Sequence, residues 1–315
     1  MLKKIINKLK FFSKQLFSVN NIDNHVSIYI LGIKIRQKLK PIIQNVDLKN
    51  CYLNKAERTP LIIASLTTFP QRINIVSETI KTILAQSIKP DKVILWLAEE
   101  QFPQKETELP EKLIELKNYG LTIKWCKDTK SYKKLIPTLK EYPEEIIITF
   151  DDDIYYPLNT IELLYNEYLK NPNYIYTNRA RRFYVKDEEL YSKTSADLMW
   201  SKYNDYSYLN KLTGCGGVLY PPNSLCKEVF NEEKFTTVIP TQDDVWFWAM
   251  AVLNHTKIKL VANFDIQLPT IPNSQQYGLS KINKKQGIGV DSLDASRLIV
   301  KEYPQIIKII KEDVC

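Results

Sequence analysis

Asp151, Asp152 and Asp153 follow directly on the run Ile146-Ile147-Ile148-Thr149-Phe150. Three adjacent carboxylates repel one another unless positive charge sits among them. At the end of an apolar strand, on the edge where open α/β sheets take their ligands, such a triplet suits a divalent cation shared with a phosphate-bearing ligand. An acidic turn that merely ends a strand is the simpler alternative, but such turns seldom follow so apolar a run. His25 and His255 are the only histidines, which leaves oxygen ligands and hence Mg2+ or Mn2+ as the expected ion.

A second acidic group, Asp243-Asp244, lies in Pro240-Thr241-Gln242-Asp243-Asp244-Val245-Trp246-Phe247-Trp248. Thr241 with Asp244 has the spacing of a capping box, and acids in a first helical turn are favoured by the helix dipole at about 0.3–1 kcal/mol. The same geometry holds a carboxylate rigidly at a cleft, where it can act as a general base. If the ligand is a nucleoside-diphosphate sugar, a metal on Asp151 and Asp153 would neutralise the departing diphosphate. Lys133, Lys134 or Arg72 would add positive charge. Asp243 or Asp244 would take the acceptor's proton. One base without a second nucleophile implies inversion at the anomeric carbon.

These residues need a scaffold that gathers them. Leu61–Leu66, Val93–Leu97, Leu121–Cys126 and the run into Asp151 read as strands. A helix is expected over 74–86, another from Pro110 to the stop at Gly120, and a third from Asn159, capped with Glu162, to about Lys170. This succession predicts a doubly wound, mostly parallel sheet flanked by helices. The loops bearing Thr67, Arg72, Glu99, Asp128 and Asp151–Asp153 should open on one edge. After residue 177 the rhythm is lost. Residues 178–213 read as an irregular aromatic and basic insert suited to sugar rings and anionic groups, or simply to packing an irregular lobe. A glycine-rich strand over Gly214–Tyr220 follows. Residues 270–290 read as a flexible flap that closes over the site, and Ser292–Glu302 and Gln305–Glu312 as closing helices. The expected division is 1–58 (helix, hairpin and linker), 59–290 (main domain, with halves 59–177 and 178–290) and 291–315.

Charge is concentrated at one end. Residues 1–40 hold nine Lys or Arg against Asp23, so this arm carries the whole formal charge of +8. A neutral body argues against nucleic-acid binding. Residues 1–17 space Leu2, Ile5, Ile6, Leu9, Phe12 and Leu16 as an amphipathic basic helix. It is too short and too charged to span a bilayer and lacks a signal peptide's apolar core. Docking on the anionic inner face of the cell membrane is the expectation, packing on the body the alternative. Val26–Ile30 and Ile33–Lys38 read as a small hairpin, and 37–58 as a linker. Five scattered cysteines with no CxxC spacing suit reduced thiols in the cytoplasm.

From about Leu61 to Leu260 the chain resembles a GT-A fold bacterial glycosyltransferase, close to the family 2 type. The carrying residues are Asp151-Asp152-Asp153 (a DxD motif), Ser65–Arg72, Lys133-Lys134-Leu135-Ile136-Pro137 and Gln242-Asp243-Asp244. The resemblance implies that Thr67, Thr68, Arg72, Glu99 and Asp128 hold the nucleobase and ribose. It also implies that the DxD aspartates, Asp152 included, bind metal and sugar, and that the late acidic pair supplies the base. That pair is usually Glu-Asp and here is Asp-Asp. Beyond His255 no histidine is left for the extra metal ligand of some relatives. Ile30–Ile35 is similar to leader regions of surface-polysaccharide transferases, which implies a lipopolysaccharide, capsule or lipid-linked saccharide acceptor; a UDP-sugar is the favoured donor. A sugar-phosphate nucleotidyltransferase is the competing enzyme class, but it needs a glycine-rich phosphate loop, and Ser65–Arg72 has no glycine. A non-catalytic, membrane-docked nucleotide-binding protein is the remaining alternative.

Overall fold

The computed structural model describes residues 17–22, 25–30, 33–38, 46–192, 205–261, 268–277 and 292–314. Strands β1 (Phe17–Ile22), β2 (His25–Ile30) and β3 (Ile33–Lys38) form an antiparallel sheet, so the expected hairpin gains a third strand in front of it. The expected helix over 1–17 lies outside the described residues, except Phe17, which opens β1. The second half of the expected linker is packed rather than free. Cys51 is buried, and Val46, Leu48 and Leu53 lie against the main core.

The body is an α/β fold around one eight-stranded, mostly parallel sheet. Its strands are β4 (Ile62–Thr67), β5 (Lys92–Ala98), β6 (Leu121–Cys126), β7 (Ile146–Phe150), β8 (Ile175–Thr177), β11 (Tyr206–Ser207), β13 (Val218–Tyr220) and β14 (Ile258–Leu260), in the order β11-β14-β8-β13-β7-β4-β5-β6. β4, β5, β6 and β7 run parallel, the Rossmann-like half that the sequence predicts. The departures are β13, which pairs antiparallel with both β7 and β8, and the edge strand β11, which pairs antiparallel with β14. β7 is buried throughout because each of its faces meets a separate core. Ile146, Ile148 and Phe150 enter one apolar cluster, and Ile147 enters the other.

Helices α1 (Val76–Leu84), α2 (Glu111–Ile114), α3 (Ile136–Glu141), α4 (Thr160–Lys170), α5 (Glu232–Val238), α6 (Asp243–Leu253), α7 (Ser292–Glu302) and α8 (Gln305–Val314) complete the fold. The stretch to Gly120 is mostly a 3-10 turn, closed by Gly120 at φ 111° as its left-handed stop requires. The Asn159–Glu162 capping box does not form. Glu162 instead accepts a hydrogen bond from Ser87 at 2.8 Å. α6 is apolar on all sides because it is enclosed, with Trp246 and Trp248 donating to the carbonyls of Val229 and Tyr208. Much of the expected irregular insert is a small sheet of β9 (Ala180–Lys186), β10 (Glu189–Ser192) and β12 (Asn210–Leu212). Gly214–Gly216 is a 3-10 turn rather than strand. The two closing helices stand where the sequence puts them. Among the described residues, no helix is long and apolar enough to cross a membrane.

Candidate active site

The acidic loop begins where β7 ends. Phe150 is the last strand residue, and the chain then turns so that Asp152 and Asp153 are buried while Asp151 keeps 31% of its side chain exposed. The loop is braced from below by two threonines of α1 and by Gln86 just past its end. Thr79 Oγ1 donates to the Asp152 carbonyl at 2.9 Å, Thr82 Oγ1 accepts from Tyr156 N at 3.2 Å, and Gln86 Nε2 donates to the Pro157 carbonyl at 2.8 Å. Tyr156 Oη accepts from Asp151 N at 2.9 Å. Buried hydroxyls and amides need partners, and here the loop backbone supplies them. The signal in the sequence was faint: two polar residues on the buried side of a short helix and one just after it.

Two cations enter the cluster. Arg72 spans two aspartates, with Nη1 2.6 Å from Asp152 Oδ1 and Nη2 3.0 Å from Asp153 Oδ2. Burial opposes its charge, but Asp152 and Asp153 outweigh burial and hold the guanidinium above its ordinary pKa. Thr68 donates to the other Asp152 oxygen at 2.5 Å. Burial raises the Asp152 carboxyl, and it pushes Asp153 up to about 6, against the pull of Arg72. Lys134, 5% exposed, is the second cation. Its Nζ lies 2.9 Å from Asp151 Oδ1, 2.9 Å from Asp243 Oδ2 and 3.7 Å from Asp244 Oδ1. Burial works against this ammonium as well, and the three carboxylates override it.

The expected capping box at α6 does not form. Gln242 stands at the cap position but its side chain does not cap the helix, and Asp244 turns away from its own helix. Asp244 Oδ2 accepts from the backbone N–H of Gly214 at 3.0 Å, and Oδ1 has no aligned donor. Burial, reinforced by Asp243, raises its carboxyl while Lys134 pulls the other way. Gly214 is required by space. A Cβ there would sit 2.5 Å from Lys134 Nζ, 2.8 Å from Asp244 Oδ1 and 3.3 Å from Asp151 Oδ1.

The other sequence-predicted residues divide. Arg72, Thr68 and Lys134 join the aspartates directly. Asp128 accepts from Lys133, from Gln101 Nε2 at 2.8 Å and from Lys130 N at 3.0 Å, forming a neighbouring polar cluster after β6. Lys133 is thus committed to Asp128, whereas Lys134 reaches the acidic loop. Thr67 Oγ1 donates to the Trp96 carbonyl at 2.8 Å. Glu99 is not brought in: its side chain is 56% exposed and pairs with Lys105. Glu100, one position on, accepts from Asp128 N at 3.0 Å instead.

The expected flap is pinned over its described part. Tyr155 N donates to the Pro269 carbonyl at 2.9 Å and Ile271 N to the Asp153 carbonyl at 2.8 Å. Gln275 Nε2 donates to Asp153 Oδ2 at 2.7 Å, and Arg72 Nη2 reaches the Ser274 carbonyl at 3.3 Å. Residues 268–277 therefore form a strap across the acidic loop. Residues 278–290 lie outside the described residues.

Whether these side chains suit a divalent cation is decided by charge and open oxygens. Among the described residues, no cluster of three or more His, Cys, Asp or Glu side chains is arranged to hold a metal alone. However, Asp151 Oδ2 and Asp153 Oδ1 accept no hydrogen bond from any described residue. Among the described residues, Asp151, Asp152, Asp153, Asp243 and Asp244 meet only Arg72 and Lys134 in direct ion pairs. Mg2+ and its like are commonly held by one or two carboxylates, with substrate phosphates and water completing the shell. The donor set fits such an ion.

The sequence matches no protein-family model. It matches no curated protein either. Three solved structures illustrate what the fold is similar to. A mannosyltransferase from Pyrobaculum calidifontis, in complex with GDP-Man and Mn2+, is 10% identical over 81% of this chain and 74% of its own, with a TM-score of 0.46. GalNAc-T7 with UDP, GalNAc and Mn2+ is 9% identical over 64% of this chain and 42% of its own, TM-score 0.40. CMP:2-keto-3-deoxy-manno-octonic acid synthetase complexed with CTP is 11% identical over 73% of this chain and 99% of its own, TM-score 0.39. Likeness at this level does not bear on the chemistry.

Proposed function

We propose that this protein is a metal-dependent, inverting glycosyltransferase. It would move a sugar from a nucleoside-diphosphate donor, UDP-linked by preference, to a hydroxyl of a lipopolysaccharide, capsule or lipid-linked saccharide. One observation carries this reading: Lys134 ties Asp151 of the acidic loop to Asp243 and Asp244 at the start of α6. A donor-side carboxylate and a candidate base are thereby held on two sides of one ammonium.

Asp151 and Asp153 would hold Mg2+ or Mn2+, which supplies Lewis-acid neutralisation of a leaving diphosphate when bound. The chain's own residues do the rest. Arg72 and Thr68 fix Asp152 and so set the shape of the donor loop. Asp128 and Lys133 offer a polar platform beside β6 for the nucleoside. Asp244 Oδ1, with no aligned donor, is free to take the proton of an acceptor hydroxyl. Burial raises its carboxyl, which makes it a stronger base than a solvated aspartate. A single base acting on the acceptor hydroxyl in one displacement would invert the anomeric centre. Residues 268–277 cover the loop and would help exclude the water that otherwise hydrolyses the donor.

The basic arm of residues 1–40 supports docking on an anionic membrane surface, at about 1 kcal/mol per basic residue close to the lipid. Removal of residues 1–17 should weaken co-sedimentation with phosphatidylserine vesicles and leave donor binding intact. The test of the main reading is a nucleotide-sugar panel read by melting shift with and without Mn2+, followed by transfer to saccharide acceptors. Stabilisation by one donor only with Mn2+ is the expected result. No shift with any nucleotide would overturn the reading.

A further inference from the structure

The Gly214–Gly216 turn stands against the Lys134–carboxylate cluster at Gly214 and against Arg179 at Gly216. Lys211, on β12, is 3% exposed, yet among the described residues its ammonium makes a single hydrogen bond, to Ser292 Oγ at 3.0 Å, and forms no ion pair. Arg181 stands opposite Lys211 in the β9–β12 register, so the two side chains share a face of the small sheet. It is exposed and pairs with no carboxylate among the described residues. Arg179, just before β9, donates from Nη1 to Cys215 Sγ at 3.1 Å. Burial pushes that thiol up to about 11, so it stays neutral at physiological pH and cancels no charge.

Arg179, Arg181 and Lys211 are thus brought to one end of the small sheet, and none of them has a carboxylate in contact among the described residues. Burying an ammonium with one hydrogen bond costs free energy, and a guanidinium as its cross-strand neighbour adds repulsion. The carboxylate with the strongest influence on Lys211 is Asp244, the candidate base, rather than any member of the acidic loop. Gly214, three residues past Lys211, donates its N–H to Asp244 Oδ2 at 3.0 Å, so the strand bearing Lys211 leads to the base side of the Lys134 bridge. An arginine fork beside a lysine is suited to phosphate and carboxylate oxygens, which it can bind in bidentate fashion.

We propose that Arg179, Arg181 and Lys211 form an oxyanion subsite that receives a phosphate or carboxylate group of the acceptor. The site stands on its own geometry, and only its assignment to the acceptor rests on the transferase reading. The same oxyanion chemistry is carried by the donor's diphosphate, so the test must separate the two sources.

The probe is inorganic phosphate. It is titrated into the full-length protein with and without saturating UDP and Mg2+, and the melting midpoint is compared with sodium chloride at equal ionic strength. Phosphate is expected to raise the midpoint of the parent even when UDP is bound. Its apparent affinity should fall at least fivefold in Arg181→Gln, an exposed change, and in Lys211→Met. The UDP shift of Arg181→Gln should stay within twofold of the parent. A phosphate response absent from the parent, or equal in the parent and both variants, overturns the subsite. A UDP shift that weakens together with the phosphate response assigns these cations to the donor diphosphate and overturns the acceptor role. A parent stabilised by phosphate through Arg181 but never by UDP leaves the anion subsite standing and removes the transferase reading.

Discussion

The Lys134 ammonium lies 2.9 Å from Asp151 Oδ1, so the loop that ends β7 and the helix that begins at Asp243 share one buried cation. Removing one partner of a buried ion pair costs more than the pair contributes, because the survivors are left unpaired. Lys134→Met should lower stability by about 3–5 kcal/mol. Urea unfolding checks this, and a loss below about 1 kcal/mol would show the three carboxylates to be well hydrated. Turnover should fall with it, even under conditions where the variant is fully folded.

Asp244→Asn keeps the shape of the side chain and removes its basicity. Nucleotide binding should be retained and turnover should fall by about 10²–10⁴. In the parent the base must be ionised, and burial raises its carboxyl above the ordinary aspartate value. The acid limb of the turnover profile should therefore lie above pH about 3.9, with activity lost as pH falls through it. If Asp244→Asn transfers sugar at the parental rate, Asp243 becomes the candidate.

Gly214→Ala tests the space around the shared cation. The added methyl would lie 2.5 Å from Lys134 Nζ and 2.8 Å from Asp244 Oδ1, so one of them must move. Overpacking of this kind costs about 1–3 kcal/mol. The effect on turnover should exceed the effect on the melting midpoint, because the displaced groups are the ones proposed to act. Equal activity in the two proteins would mean that this contact is not part of the working geometry.

Asp128 offers a pH-dependent stability prediction. Burial raises its carboxyl, but the bond from Lys133, aided by Lys130 N, brings it below the ordinary value. A carboxyl depressed in the folded state stabilises above its unfolded pKa, and the contribution is lost as pH falls through the folded one. Asp128→Asn should cost about 1.5–3 kcal/mol at neutral pH. The difference between parent and variant should shrink only below pH about 4. Acid titration of the unfolding midpoint in both proteins measures this.

What could be read from the chain alone was local. The run Ile146–Phe150 declares a strand enclosed on both faces, and its junction with Asp151–Asp153 marks the loop. The parallel strands β4, β5 and β6 and the two closing helices are equally legible, since each carries its own periodicity. Relations set by distant pairing were not legible. Thr241 and Asp244 have the spacing of a cap, yet Asp244 is taken by Gly214, thirty residues upstream. Lys211 looks like any surface lysine until β12 pairs with β9 and carries it inward. The choice of Glu100 over Glu99 beside Asp128 depends on the turn after β5, which no pattern of residue types specifies.

The strap has a consequence for the order in which the protein becomes active. Gln275 reaches back 122 positions to Asp153, and Ile271 N donates to the carbonyl of that same aspartate. On the ribosome, where domains generally fold as synthesis proceeds, the parallel half has its residues long before those partners emerge. A nascent chain can thus own a folded sheet and an acidic loop whose outer bonds are still missing. Competence would arrive late and at once, when the last quarter of the polypeptide settles onto a loop synthesised much earlier.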